Sequence, residues 1–141
     1  MALKYLSPLH RATRQIGIWF EERMPDVVGT EGHLLSYLAP YGPCPVSELV
    51  RVFGLKHSTM TSVLDRLEER GLVERKSNPE DRRSLLVGLT RRGQAAAANV
   101  NAVIEELERE IDRRVAKKDL EAFRRVMEAI AEATKVEVRK G

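Results

Sequence analysis

Two adjacent arginines, Arg82 and Arg83, lie in the middle of the segment NPEDRRSLLVGLT, which begins at Asn78. An Asn-Pro turn signal precedes them and an alternating apolar stretch follows them, so the segment predicts the tip and the second strand of a β-hairpin. A hairpin tip normally selects Gly, Asn or Asp, because the backbone there adopts unusual dihedral angles. Two long cations at this place indicate a projection that touches an anionic partner.

Short hydroxyl side chains form a second group with binding chemistry. In the stretch HSTMTSVLDRLEERG, apolar residues recur with helical spacing, namely Met60, Val63, Leu64 and Leu67. The outward face of this predicted helix then holds Ser58, Thr61, Ser62 and Asp65, with Thr59 at its edge. Hydroxyl groups near a helix N-terminus can bond phosphates or base edges, and the positive end of the helix dipole favours an anion. The alternative is that Ser58 and Thr59 only cap the helix.

A helix-turn-helix with a wing would position both groups. The preceding stretch VSELVRVF also repeats apolar residues with helical spacing, and Gly54 separates the two helices before Gly71 ends the second. Short helices joined by about four residues are typical of this motif. After Gly71 the periodicity changes to two in LVERK and SLLVGLT, where Val73 and Arg75 alternate. Such a two-stranded hairpin is not stable alone, so it must pack against the helices as a wing.

Further helices are predicted on both sides of this motif. One covers about residues 3–24 and stops at Pro25, and a short one starts at Thr30 and ends in the breaker-rich APYGPCP. Thr90 can cap a helix that runs to about residue 115, and a last helix is predicted near residues 119–138. The predicted fold class is mainly α with a small two-stranded β wing.

Composition limits the class of protein. The chain has 141 residues, 43% apolar, 32% charged and 5% aromatic, which fits one helical domain with solvated faces. Its net charge of +3 is only mildly basic. It contains no apolar run of the roughly 18 residues that would predict a membrane span. The N-terminus lacks the apolar stretch of a secretion signal, and the lone Cys44 fits a reducing compartment, so we expect a cytoplasmic protein.

The stretch LDRLEERGLVERKSNPEDRRSLLVGLTRRG, residues 64–93, resembles the signature of the MarR family of bacterial transcription regulators. It contains the acid-plus-base pair Asp65 and Arg66 late in the recognition helix, then GLVER, the wing motif Asp-x-Arg at Asp81 and Arg83, and LTRRG. The order of the helices before and after it also fits. The resemblance therefore covers essentially the whole chain.

This resemblance implies a single domain over residues 1–141 with two lobes. A winged-helix DNA-binding lobe would cover residues 30–90, and residues 1–24 and 91–141 would form a helical dimerisation lobe. Family members are symmetric dimers that bind pseudo-palindromic operators in double-stranded DNA, usually repress, and often release DNA when a small aromatic or phenolic ligand, or an oxidant, acts on them. We therefore expect a homodimeric regulator that needs no cofactor.

The resemblance also assigns roles at the DNA. Lys56 and His57 flank the start of the recognition helix and are expected to contact phosphates, which position a protein without specifying sequence. The hydroxyl row of that helix faces the major groove. Arg83 occupies the arginine of the wing motif and is expected to enter the minor groove, whose negative potential attracts arginine, while Arg82 meets phosphate.

Two acids next to this surface need a separate explanation, because phosphates repel them. We expect Asp65 and Asp81 to hold the wing arginine by bidentate pairing. The alternative for the sequence EDRR is an ordinary solvated loop tip.

Trp19, His33 and Tyr37 fall on the first two predicted helices, where the family commonly has its ligand crevice. An apolar pocket with a few polar groups is what such a site requires. The alternative is that Trp19 belongs to the core and that His33 is a surface histidine.

Redox and metal sensing have weak support in the sequence. Cys44 has no Lys, Arg or His beside it that would lower its pKa, so a structural role is the simpler interpretation. His10, His33 and His57 show no metal-ligand spacing.

Three other functions remain to be compared with a ligand-responsive repressor. The chain could be a helical interaction module whose winged helix does not bind DNA, but its wing arginines are intact. It could bind DNA without any effector. An enzyme is disfavoured, because no nucleophile–base pair, phosphate-binding glycine loop or metal set is visible.

Overall fold

The computed structural model describes residues 3–137. In that part of the chain, helices and strands follow in the order α1 (Leu6–Arg23), α2 (Gly29–Tyr41), β1 (Cys44–Pro45), α3 (Val46–Phe53), α4 (His57–Glu69), β2 (Val73–Ser77), β3 (Leu85–Leu89), α5 (Arg91–Asp112) and α6 (Lys117–Thr134). The prediction of a mainly helical fold with a small wing is confirmed. None of the helices between residues 3 and 137 is long and apolar enough to cross a membrane.

The helix-turn-helix forms as its glycines predict. Gly54 follows α3 with φ 63°, and Gly71 follows α4 with φ 72°. Both values lie in the left-handed region, which glycine enters without the steric cost of a Cβ atom. At the end of α4 the backbone N–H of Gly71 donates to Glu68 and that of Leu72 to Leu67, each at 2.9 Å, so the last carbonyls of the helix are satisfied.

The wing is part of a three-stranded antiparallel sheet in the order β1-β3-β2. The predicted hairpin forms between β2 and β3, with Val73 opposite Leu89 and Ser77 opposite Leu85. The two-stranded wing is confirmed as β2 and β3, and a third strand that was not predicted, β1, pairs with the other edge of β3 through Cys44 opposite Val87. A strand of two residues between a Gly-Pro turn and a helix carries no periodicity that could reveal it.

A single hydrophobic core lies under α4 and the sheet. The recognition helix buries the predicted stripe almost completely, with Met60, Leu64 and Leu67 each 0% exposed. Val87 of β3 is equally inaccessible, and Val100 brings the N-terminal half of α5 against the same core. The face of α4 that carries the hydroxyl groups is therefore fixed by burial of the opposite face.

Some helix boundaries differ from the prediction. Helix α2 continues through Pro40 to Tyr41, because a proline near the last turn removes only its own hydrogen bond and Gly42 still donates to Leu38 at 2.9 Å. Helix α5 ends at Asp112, and α6 begins at Lys117, where the Asp119 carboxylate accepts the N–H of Ala116 at 2.8 Å. Helix α6 ends at Thr134, and the expected end at Val138 lies outside the described residues.

Apolar side chains on the terminal helices remain uncovered in the single chain. Helix α1 buries only Phe20, and within residues 3–137 helix α6 buries none of its side chains. Large apolar residues exposed on these helices, at the start of the chain and at the end of α5 include Leu3, Tyr5, Leu6, Ile16, Ile18, Ile111, Leu120 and Phe123. The core just described therefore accounts for the middle of the chain but not for its two ends.

Candidate nucleic-acid interface

The hydroxyl-bearing face of α4 is open to solvent. Ser58, Thr59 and Ser62 are exposed and Thr61 is half-buried. Helix α4 begins at His57, and its N-cap residue is Lys56, which makes no side-chain capping bond. Neither Ser58 nor Thr59 caps the helix, so the interpretation of these two residues as caps is wrong.

Hydrogen bonding divides the hydroxyl row into two pairs. Thr61 donates to the His57 carbonyl at 3.0 Å, and Ser62 donates to the Ser58 carbonyl at 3.1 Å. Such bonds to the preceding turn leave the oxygen able to accept from a partner. In the described part of the chain, the structure gives no hydrogen bond to the hydroxyl groups of Ser58 and Thr59. Both hydroxyls can therefore donate to an external acceptor such as a phosphate or a base edge.

Side-chain oxygens shape the wing tip by bonding to the backbone. The Asn78 side chain accepts the N–H of Glu80 at 3.0 Å, and the Asp81 carboxylate accepts the N–H of Arg83 at the same distance. The N–H of Ser84 donates to the Asp81 carbonyl at 3.1 Å. These local bonds make a compact turn without glycine. Arg82 and Arg83 project from it with exposed side chains.

The expected pairing of the two acids with Arg83 was wrong for this structure. Asp81 binds the backbone of Arg83, not its guanidinium group. Asp65 accepts from Nη2 of Arg75 on β2 at 2.6 Å, and Glu68 accepts from Nε of the same residue at 2.5 Å. Arg75 lies at the base of the wing, only 22% exposed, so it reaches these carboxylates directly.

Arg75 is the residue of this site that the sequence did not single out. Burial acts to lower the pKa of Arg75, but the hydrogen bonds and charges of Asp65 and Glu68 outweigh it and raise the pKa above its ordinary value. The guanidinium group therefore stays charged and holds both acids. Because Asp65 lies on the outward face of α4, this contact sets the wing beside the hydroxyl row.

Trp19, His33 and Tyr37, the three residues proposed for a ligand pocket, do not line one cavity in the structure. Trp19 lines an open cavity of about 430 Å³ between α1 and α5, whose lining includes neither His33 nor Tyr37. The Arg23 guanidinium lies 3.9 Å from the centre of the Trp19 ring. His33 is exposed, while Tyr37 donates to Glu48 at 3.2 Å.

Redox and metal chemistry find little support in the structure. Cys44 is 2% exposed and lies in strand β1. No group of three or more His, Cys, Asp or Glu residues that could hold a metal ion occurs among residues 3–137.

Comparison with known proteins agrees with this architecture. The sequence model of the MarR family matches residues 29–85, which include α2, the helix-turn-helix and most of the wing. The uncharacterized HTH-type transcriptional regulator YwhA of Bacillus subtilis (strain 168) is 30% identical over 95 residues, a match that covers 67% of this chain and 63% of YwhA. The chain belongs to the MarR family. It spans less than two thirds of the length of YwhA.

Solved structures extend the likeness beyond the matched segment to the MarR fold as a whole. The Staphylococcus aureus MepR–DNA complex superposes with a TM-score of 0.83 at 16% identity, over 94% of this chain and 99% of that chain. A mutant MarR from Escherichia coli complexed with operator DNA gives a TM-score of 0.76 at 22% identity, over 88% and 91%. At these identities the likeness establishes the winged-helix fold. Membership of the MarR family also agrees with the expectation that the chain is not an enzyme.

Proposed function

We propose that this MarR-family chain is a sequence-specific DNA-binding transcription regulator that acts as a homodimeric repressor in the cytoplasm. The observation that carries the proposal is the exposed hydroxyl row of α4 beside a wing tipped by Arg82 and Arg83. The MepR and MarR structures that share this fold are DNA complexes, which supports the same partner here.

Each part of this surface matches a feature of double-stranded DNA. Ser58 and Thr59 lie in the first turn of α4, where the partial positive charge of the helix N-terminus also faces outward. Lys56 and His57 precede them and are exposed, so at the edge of the major groove Lys56 can neutralise a phosphate and His57 can contact one. The wing then brings Arg83 to the adjacent minor groove.

Dimerisation is supported by the uncovered apolar faces of the terminal helices. Leu6 is 47% exposed, Ile16 44% and Phe123 54%, although each lies on an amphipathic helix. Burial of such faces against a second copy would remove them from water. We propose that residues 30–90 form the DNA-binding lobe, and that residues 1–24 and 91–141 form the dimerisation lobe. Two-fold symmetry then requires a pseudo-palindromic operator with half-sites about 34–36 Å apart.

Release by a small aromatic ligand is the part of the proposal that depends most on family resemblance. The cavity beside Trp19 is lined by an indole ring, the apolar side chains of Leu107 and Ile111, the guanidinium group of Arg23, and Arg114 paired with Glu110 at 2.7 Å, with Glu106 beside them. An aromatic acid would place its ring against the apolar groups and its carboxylate on Arg23. Addition of salicylate-like acids should then weaken DNA binding.

The test begins with selection of duplexes from a random-sequence pool by the wild-type protein. Affinity for the selected duplex should fall linearly with salt on logarithmic axes, with a slope of about −0.9 for each phosphate contact. Replacing Lys56 with Ala should reduce that slope by about one contact, whereas replacing Lys135, on the far end of α6, should leave it unchanged. Failure to enrich any duplex, or a flat salt dependence, would overturn the proposal in favour of an interaction module.

A further inference from the structure

Glu31 is the charged residue that the core buries within residues 3–137, with 3% of its surface exposed. It lies in the first turn of α2. Its Oε1 accepts from Nε of Arg66 at 3.2 Å, and its Oε2 accepts from Nη1 of Arg70 at 3.0 Å. Each carboxylate oxygen thus binds a different arginine, Arg66 in the last turn of the recognition helix and Arg70 at its C-cap.

This arrangement fixes α4 more closely than apolar packing alone. A buried carboxylate is costly unless hydrogen-bonded cations compensate it. Arg66 and Arg70 are 52% and 43% exposed, so they reach inward from the solvent to one acid. They lie one turn apart, and both reach Glu31 only while α4 keeps one rotation and one position along α2. Apolar side chains tolerate small sliding movements, whereas two bonds to one carboxylate do not.

Helix α2 is itself joined to the terminal helices beside Glu31. A Cβ atom on Gly32 would lie 2.9 Å from the Phe20 ring, so α1 packs directly on the backbone of α2. One turn further on, the Ser36 hydroxyl donates to the Asn101 side chain of α5 at 2.7 Å. Three consecutive attachments on α2 therefore connect α1, α4 and α5.

We infer that Glu31 is a positioning residue for DNA binding, which holds the recognition helix at a fixed place relative to α1 and α5. In a dimer built on those terminal helices, this placement determines the spacing of the half-sites that the two α4 helices can contact together. The inference rests on the proposed function. The competing explanation is that Glu31 contributes only to the stability of the fold.

The clamp that Glu31 forms with Arg66 and Arg70 can first be tested without DNA. In Glu31→Gln the side chain keeps its size and one oxygen, but its amide group cannot accept a hydrogen bond, so one arginine loses its partner. Hydrogen exchange of the α4 amides should become about tenfold faster, equivalent to about 1.4 kcal/mol, while the centre of α5 stays protected. Glu69→Gln is the matched control, because Glu69 is exposed on the same helix and the described residues offer it no ion pair.

Operator spacing is the readout that a purely stabilising role would not change. The duplex selected by wild type is compared with versions that have one base pair added or removed between half-sites, which displaces them by roughly 3.4 Å. Wild type and Glu69→Gln should bind the altered duplexes about tenfold more weakly than the original. Glu31→Gln, assayed well below its melting temperature, should lose most of this discrimination, and Glu31→Asp should retain part of it.

The possible outcomes separate the two proposals. If Glu31→Gln discriminates spacing as sharply as wild type, the positioning role is refuted even though DNA binding stands. If wild type enriches no duplex, the proposed function fails, and unchanged exchange of the α4 amides in Glu31→Gln would then refute the clamp independently.

Discussion

Replacing Arg75 with Met should detach the wing from the recognition helix while keeping most of the buried side-chain stem. Arg75 donates to Asp65 at 2.6 Å and to Glu68 at 2.5 Å. The arginine is 22% exposed, but the two carboxylates are 53% and 43% exposed, so water screens both ion pairs. The substitution removes both contacts at once and leaves two unpaired acids beside the proposed DNA-binding face.

The magnitude follows from that exposure. Solvent-exposed ion pairs contribute about 0.2–1 kcal/mol each, so the two together are worth about 1 kcal/mol. For a domain of this size, that loss lowers the melting temperature by about 3–5 °C. DNA binding should suffer more, because the same change frees the wing and adds two uncompensated negative charges near phosphates. We expect affinity to fall by about tenfold or more.

A double-mutant cycle provides the assay. Arg75→Met, Asp65→Asn and the double variant are compared by urea denaturation and by binding to one selected duplex at fixed salt. Asp65→Asn should lower the affinity for the duplex in the wild-type background. In the Arg75→Met background it should leave that affinity unchanged or raise it. Lys76→Met is the control, since Lys76 is 72% exposed on the same strand and its ion-pair partner among residues 3–137 is Glu74, also on that strand. Zero coupling between Arg75 and Asp65, together with DNA affinity equal to that of the control, would refute the reasoning.

Three further predictions concern packing, the wing and assembly. Gly93→Ala should lower the unfolding free energy by about 2–4 kcal/mol in urea denaturation, because its Cβ atom would lie 1.8 Å from a backbone carbonyl oxygen. The control is Gly17→Ala, whose Cβ atom would meet nothing within 4 Å, so this change should leave the unfolding free energy unchanged or raise it. Arg83→Ala should weaken duplex binding more than Arg82→Ala without changing the melting temperature. Equal losses of affinity would indicate that both arginines only contact phosphates. Phe123→Glu should shift light scattering toward a monomer, and an unchanged mass would exclude this face of α6 from the interface.

Features with a local physical cause could be predicted from the sequence. The buried face of α4 follows from the spacing of its apolar residues, and the two strands of the wing follow from the alternation on either side of the turn. Thr90 caps α5 as expected, since its side chain accepts the N–H of Gly93 at 3.0 Å. These signals depend on a few neighbouring residues, so one sequence contains them in full.

Pairing between distant residues could not be predicted in the same way. From the sequence we expected Asp65 to pair with Arg83, whereas the structure pairs it with Arg75 on β2. An acid in the first turn of α2 normally serves the helix dipole in solvent, so the burial of Glu31 was not expected. Both contacts cross between elements, and neither leaves a periodic pattern.

The exposure of helix α6 has a consequence for the stability of this protein at low concentration. Tertiary packing, not intrinsic propensity, supplies most of the stability of a helix in a protein. Since α6 fully buries none of its 18 residues in the single chain, and only a few such as Met127 and Ile130 are partly buried, a surface that covers it would add to its stability. If that cover is a second copy, the apparent melting temperature rises with protein concentration by mass action. Newly made chains at low abundance would then expose a frayed α6 to proteases, so the protein would persist only once enough of it has accumulated to associate.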